Sequence, residues 1–311
     1  MSVKLLAGIF AAALFCGNAA ARDVSFDGGS ISDLITYTQE QANGMPVPGT
    51  VLRVKDGHII HAKGFIHKDL PNAKWRSFKD LKVSIPNKLD LRPELTPIED
   101  QGWCGSCWAF SLTATHRDGH ALGDGDPGRL SQEWLIDNST WAAGCQGGYF
   151  DSAEMFVEHG QALWKDCPYK QGSGKCSMNM PMAAHIKAWY MLGENGKSPT
   201  VRDIEAYMTT AHKPVSIGVA ASAGSWENYT GGVYTACASG QLDHMINIVG
   251  WDNEGAKFDK DGNLPPGKGI WILRNSWGTS WGENGYMLSK MTDAGGQRCN
   301  NVAEEGAYFV Y

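Results

Sequence analysis

Gln101-Gly-Trp-Cys-Gly-Ser-Cys-Trp-Ala-Phe110 decides how this chain is read. A run poor in helix breakers, Trp108 to His120, follows the second cysteine and predicts a helix that begins beside Cys107. A helix N-terminus leaves N–H groups unpaired and carries about half a positive charge, which favours a thiolate over a thiol. Cys107 is therefore the candidate nucleophile. The Cys104-Gly-Ser-Cys107 spacing also fits a disulfide oxidoreductase, and the decapeptide alone does not separate the two readings.

The cysteine count helps to separate them. Lys4 stands before an apolar run from Leu5 to Phe15, and small residues end at Ala19-Ala20-Ala21, the layout of a cleavable secretory signal. Phe15 argues against a lipoprotein signal ending at Cys16. Eight cysteines less Cys16 leave seven: Cys104, Cys107, Cys145, Cys167, Cys176, Cys237 and Cys299. In an exported chain an odd count implies paired disulfides and one thiol kept apart. No later apolar stretch reaches about 18 residues, so no stable membrane anchor is expected. The 311 residues carry a net charge of −6 with no basic block, which gives no reason to expect nucleic acid as a partner.

Residues 22–84 read as an appended segment, too short for an independent core. Ser30 and Asp33 suggest a capping box for a helix over Ile31 to Ala42. Met45-Pro-Val-Pro-Gly49 is a breaker cluster, and Thr50 to Lys55 with Ile59 to Ile60 suggest a hairpin turning at Asp56-Gly57. From Ile85 an extended lead-in carries Pro86, Pro93 and Pro97. Helical patterns follow at Trp108 to His120, Ser131 to Asp137 and Phe150 to Glu158. After about Gly193 strand-like runs take over: Val215 to Val219, Met245 to Val249, Gly269 to Arg274 and Gly285 to Leu288. The expectation is α+β, with a mostly helical lobe at 85–192 and a mostly β lobe at 193–311.

A cysteine nucleophile needs a base to move its proton and a group to hold that base. His244, at the mouth of the apolar run Met245 to Gly250, is the candidate base. Asn275, in Arg274-Asn-Ser-Trp-Gly278, is the candidate orienter, because its carbonyl accepts an imidazole N–H without adding charge. Gln101, with the Cys107 N–H, is the candidate donor pair for a developing oxyanion. A redox pair needs none of these.

Together these residues resemble the papain-like cysteine proteases, the family that includes the cathepsins. The resemblance runs from Ile85 to Tyr311 through Ile85-Pro-Asn-Lys-Leu-Asp-Leu-Arg92, Ser131-Gln-Glu, Cys145-Gln-Gly-Gly-Tyr149, Cys167-Pro-Tyr169 and Asn275-Ser-Trp. It implies a two-lobed papain-like fold, with a helical N-terminal lobe, an antiparallel β-barrel-like C-terminal lobe and the cleft between them. Gln101, Cys107, His244 and Asn275 then take the oxyanion, nucleophile, acid–base and orienting roles. The separation 244 − 107 = 137 lies within the usual range of about 130 to 150, whereas 275 − 107 = 168 exceeds it. The turn-rich stretch 253–268 accounts for the excess. Its Asp259-Lys-Asp-Gly-Asn263 is like a calcium loop but has no glutamate at the twelfth position, so a surface hairpin is expected.

The resemblance also implies the disulfides Cys104–Cys145 and Cys237–Cys299. The family's usual cysteine after Ser-Gln-Glu is Asn138 here, so Cys167 is expected to close a short loop with Cys176. Gly147 and Gly148 are implied to lie against the substrate backbone. Tyr149, Phe150, Leu242 and Met245 would surround the pocket for the residue two before the scissile bond, and Asp243 and Trp277 complete the implied contacts. Glu304, five residues after Cys299, is assigned to the pocket floor and implies acceptance of arginine beside bulky apolar residues. Tyr149 to Cys176 has no room for the long histidine-bearing loop of a dipeptide-removing relative and holds only His159, so an open-cleft endopeptidase is expected. The whole reads as an exported, monomeric zymogen with no metal or organic cofactor. Residues 22–84 would be its inhibitory propeptide, bearing His58, His61 and His67, and its partners would be peptide and protein substrates. An exopeptidase or acyl transferase of the same fold and a non-catalytic binding protein are the alternatives. Asn138-Ser-Thr and Asn228-Tyr-Thr match glycosylation sequons.

Overall fold

The computed structural model describes Leu34–Thr36, Val51–Lys55, His58–Ile59 and residues 61–311. The expected signal at Met1 to Ala21, the Ser30–Asp33 capping box and the Met45 to Gly49 breakers lie outside the described residues. The upstream unit contains three strands, β1 (Leu34–Thr36), β2 (Val51–Lys55) and β3 (His58–Ile59), paired antiparallel in that order. The hairpin joining β2 to β3 has the register Val54↔Ile59 and Lys55↔His58. Where a helix was expected, Leu34–Thr36 instead pairs with β2. Ile35 and Thr36 are β-branched, and a neighbouring strand rewards them more than a weak helical stripe does.

The second unit holds residues 61–311 and two hydrophobic cores. Its first strands are β4 (Trp75–Arg76) and β5 (Lys88–Asp90). The helices of the first lobe follow: α1 (Cys107–Ala121), α2 (Gln132–Asn138) and α3 (Glu154–Glu158). Phe150–Ala153, expected to continue α3, forms a 3-10 turn leading into it. Next come β6 (Gln161–Ala162), β7 (Met182–Ala184), β8 (Ala188–Leu192), α4 (Val201–Ala211) and β9 (Val215–Val219). The second lobe continues with β10 (Val233–Tyr234), β11 (His244–Asp252), β12 (Ile270–Arg274), β13 (Tyr286–Lys290) and β14 (Gly306–Val310).

The sheet of the second lobe follows the path β10-β13-β12-β11-β9-β14-β8-β4, with β5 paired to β11. The β10–β13 and β4–β8 pairs are parallel and the others antiparallel. The sheet is therefore mixed and open among the described residues, where an antiparallel barrel was expected. Gly250 is where β11 carries neighbours on both sides, and a Cβ there would lie 2.3 Å from the Leu89 carbonyl oxygen. A side chain at that point would push β5 off the sheet.

α1 is buried on nearly every face, from Cys107 and Trp108 through His116 to Gly119, as befits a helix inside a core rather than on one. Its polar groups tie it to the β lobe. Ser111 Oγ donates to Ile246 O at 2.8 Å, and Asn247 Nδ2 donates to Ser111 O at 3.0 Å and Thr115 Oγ1 at 2.8 Å. Asp118 pairs with Arg274 of β12 and accepts Thr96 N at 3.0 Å. These buried, mutually satisfied bonds fasten the helix that carries Cys107 to the strand that begins with His244. Two segments cross between lobes: Leu91 of the lead-in packs in the β core, and Ala307 and Phe309 of β14 in the helical one.

Candidate active site

Cys107 is the first residue of α1, fully buried and, among the described residues, the one cysteine outside a disulfide. The other six pair as Cys104–Cys145, Cys167–Cys176 and Cys237–Cys299. The first bridge joins the loop before α1 to the loop carrying Gly147 and Gly148, and Gly105 N donates to Cys145 O at 2.9 Å. Ser131 caps α2 by accepting Trp134 N at 2.9 Å. Buried Glu133 accepts the N–H groups of Lys170, Gly172 and Gly174, which fixes the loop closed by Cys167 and Cys176. The Ser-Gln-Glu segment is thus structural.

His244 opens β11, and its Nε2 donates to Asn275 Oδ1 at 2.8 Å. Asn275 Oδ1 also accepts the Ser276 N–H at 2.8 Å, so the amide must turn its oxygen to the ring and His244 carries its proton on Nε2. Nδ1 is left without a hydrogen-bond partner among the described residues. The Trp277 ring stacks on the imidazole, centroids 4.6 Å apart and 26° between planes, and keeps water from the His244–Asn275 bond.

Gln101 is also buried, its Oε1 held by Ser276 Oγ at 2.7 Å and its carbonyl by Tyr169 Oη at 2.6 Å. Sequence reasoning gave neither Ser276 nor Tyr169 a role; Tyr169 stood in a recognised motif and Ser276 adjoined Asn275. The Gln101 amide Nε2 donates to Ala62 O at 3.0 Å and to Cys104 O at 3.1 Å.

Ala62 belongs to a strand that fills the cleft. Gly64 N donates to Cys107 Sγ at 3.2 Å, Phe65 N to Asp243 O at 3.0 Å, Ile66 N to Gly148 O at 3.0 Å, and Gly148 N to Gly64 O at 2.9 Å. A Cβ on Gly64 would lie 1.8 Å from the Gly105 carbonyl oxygen, so only glycine allows this approach. The Phe65 side chain is buried edge-on to Tyr149 (5.2 Å) and Phe150 (5.8 Å), in one apolar cluster with Leu242 and Met245. His61 stacks on the outer side of this site against Trp277, at 4.3 Å and 7°.

Under this cover Cys107 and His244 are neutral. Burial pushes the Cys107 thiol up to about 12, only partly offset by N–H groups at Met245, Gly64 and Trp108. Burial likewise lowers His244 to about 3 against the bond to Asn275, and His61 to about 3 with help from the Lys63 charge. The thiol is engaged by the Gly64 amide rather than by His244.

Glu304 and Glu305 are placed differently from expectation. Glu304 Oε1 accepts Asn301 Nδ2 at 2.7 Å. Glu305 faces the pocket, accepting Tyr149 Oη at 2.6 Å and meeting His67 Nδ1 at 2.6 Å. Asn300, Asn301 and Ala303 all have φ between 51° and 58°, and this left-handed coil takes up an extra residue, so counting five from Cys299 stops one position short. Asp243 contributes its carbonyl to Phe65, while its carboxylate holds Ala221 N at 2.8 Å and Ser222 Oγ. The 253–268 stretch coils through turns without forming strands, and Asp259 Oδ1 caps it by accepting Asp261 N and Asn263 N.

A family model described as "Papain family cysteine protease" matches residues 85–309. The chain belongs to the papain family. Cysteine proteinase EP-B 1 of Hordeum vulgare is 33% identical over 252 residues, 77% of this chain and 63% of that protein. Digestive cysteine proteinase 1 of Homarus americanus is 34% identical over 256 residues, 79% of this chain and 73% of that one. The chain thus spans less than two thirds of the Hordeum vulgare relative. Among solved structures, digestive procathepsin L2 from Tenebrio molitor larval midgut aligns with a TM-score of 0.64 at 26% identity, over 81% of this chain and 78% of that one. The family match begins at Ile85, so the strand lying in this papain-family cleft comes from outside the matched stretch. No helix among the described residues is long and apolar enough to cross a membrane.

Proposed function

We propose that the chain is an exported cysteine endopeptidase made as a zymogen, with Cys107 as nucleophile, His244 as acid–base and Asn275 as its orienter. The observation that carries this reading is the strand over the site. It satisfies both polar demands of a peptide-cleaving centre, but with different peptide groups. The Ala62 carbonyl oxygen occupies the Gln101 amide, and the Gly64 nitrogen, not a carbonyl carbon, faces Cys107 Sγ. With its N–H on the sulfur and its carbonyl on the Gln101 amide, the strand occupies the site as an inhibitor rather than as a substrate.

With the strand gone, water returns and the pair ionises: the Cys107 proton moves to His244 Nδ1, and the helix N-terminus favours the thiolate. Sγ adds to the substrate carbonyl carbon while the Gln101 amide and the Cys107 N–H stabilise the oxygen. The tetrahedral adduct expels the amine, which takes its proton from His244. Water, deprotonated by the same imidazole, then hydrolyses the thioester and regenerates the thiol. The chemistry needs no metal or organic cofactor. Three disulfides support export to an oxidising compartment.

The seated Phe65 supports a pocket for a bulky apolar residue two before the cut, walled by Tyr149, Phe150, Leu242 and Met245. Glu305 then replaces Glu304 as the carboxylate available to arginine there. Labelling of the intact and processed chain with a thiol-reactive peptidyl inhibitor tests the reading: modification goes to Cys107 alone and requires loss of the upstream strand. Hydrolysis by a Cys107→Ala chain would overturn it.

A further inference from the structure

We infer that the pro-segment is built in two separately anchored parts, and that activation cuts the linker between them, at residues 67–72, so that residues 73–84 stay on the active enzyme. This rests on the zymogen reading above and changes where the mature chain begins.

The first part is the cleft strand, held by the bonds from Ala62 to Ile66. The second lies on the β lobe. Trp75–Arg76 joins the edge of β8 in register Trp75↔Met191 and Arg76↔Leu192, flanked by Met191 N to Lys74 O at 2.9 Å and Gly193 N to Arg76 O at 3.0 Å. Asp203 Oδ1, in the first turn of α4, accepts Ser77 Oγ at 2.5 Å, Phe78 N at 2.6 Å and Lys79 N at 2.9 Å. Arg202 returns bonds to Lys79 O at 2.6 Å and Leu81 O at 3.1 Å. The Phe78 ring packs on Tyr207 at 5.4 Å and Tyr308 at 5.3 Å. Strand pairing, a carboxylate fork and an aromatic anchor together make a docking surface whose ligand is this stretch of the chain.

Between the two parts the contacts are made by side chains, His67 to Glu305, Lys68 to Asp151 at 2.9 Å and Leu70 against the first-lobe core, while the backbone is left bare. The backbone of residues 67–72 makes one backbone hydrogen bond, Ala73 N to Leu70 O at 3.1 Å, and His67, Asp69, Pro71 and Asn72 are exposed. Such a tip is where a protease gains access. While the linker is whole, the cleft strand rebinds intramolecularly at an effective concentration on the order of millimolar. Hydrolysis of one linker bond adds one water, leaves a carboxylate on the released piece and an amine on the retained one, and turns rebinding into a bimolecular event. A cut at residues 82–84 instead leaves both anchors joined and the cleft filled.

The test places an external protease site at 69–72 in one full-length chain and at 82–84 in another, cuts each, and follows Cys107 labelling and the intact mass after gel filtration. Cutting at 69–72 raises the labelling rate at least tenfold with residues 73–84 still attached, and cutting at 82–84 leaves the enzyme latent. The wild-type chain, activated on its own, begins between residues 68 and 73. An active wild-type chain beginning at 82–87, with no 73–81 peptide co-eluting, overturns the inference. An uncut chain that labels as fast as a cut one overturns the zymogen reading instead.

Discussion

His61→Phe should remove an acid trigger from the cleft strand. In the covered state His61 is neutral, held down to about 3 by burial and by the Lys63 charge. Released into water it returns to about 6.5. The covered state therefore binds fewer protons than the open one, so its stability from this residue is complete above pH 6.5 and declines as the pH falls toward 3. At pH 5 the open state gains a factor of 1 + 10^1.5, about thirtyfold or about 2 kcal/mol, relative to pH 8. Phenylalanine keeps a flat ring against Trp277 and cannot titrate. Hydrogen exchange at the Phe65 and Ile66 amides, corrected for intrinsic rates, reads the opening directly; a Cys107→Ser background prevents processing. Between pH 8 and 5 protection falls about thirtyfold further in the parent than in His61→Phe. Parallel loss in the two chains would refute the argument.

Gly64→Ala places a methyl against the Gly105 carbonyl, and overpacking of roughly 1–3 kcal/mol should speed alkylation of Cys107 in the uncut chain roughly tenfold to hundredfold; an unchanged rate contradicts the role given to this glycine. Gln101→Ala should lower kcat by about 10² to 10³ yet leave alkylation of the processed enzyme intact, since alkylation forms no oxyanion. Equal losses in both assays would mean damage to the fold. Glu205 is buried with Oε1 unpartnered among the described residues and Asn253 Nδ2 on Oε2 at 2.9 Å, and burial raises its carboxyl to about 8. The folded state then holds a proton that the unfolded state loses, so stability falls as pH rises from about 4.5 to 8. Glu205→Gln, melted alongside the parent in the Cys107→Ser background, should lack that slope and gain on the order of a few kcal/mol at pH 8; identical slopes rule this out.

The candidate site was legible because its residue pattern is local in sequence. A thiol opening a helix, a histidine opening an apolar run and an asparagine closing one each sit at an element boundary that a pattern marks. α4 was equally marked, by Thr200 and Asp203 in a reciprocal capping box, but went unread. β14 gave no signal because burial on both faces erases alternation, and β8, Ala-Trp-Tyr-Met-Leu, is apolar at every position and shows none either. The edge role of Trp75–Arg76 depends on a partner more than a hundred residues away, and two residues have no period. The Glu304 assignment failed for a different reason: counting residues assumes a uniform rise, and left-handed residues at Asn300, Asn301 and Ala303 break it.

The amide of Gly64 over Cys107 also sets out a blueprint for a ligand. A short peptide with glycine at this point, placing its N–H on the sulfur and handing the Gln101 amide an oxygen from the preceding peptide group, fills both polar positions of the site. Affinity from an aromatic in the Phe65 position then needs no reactive warhead, and selectivity among relatives is set by the glycine-tight passage beneath Gly105 rather than by the shared catalytic residues.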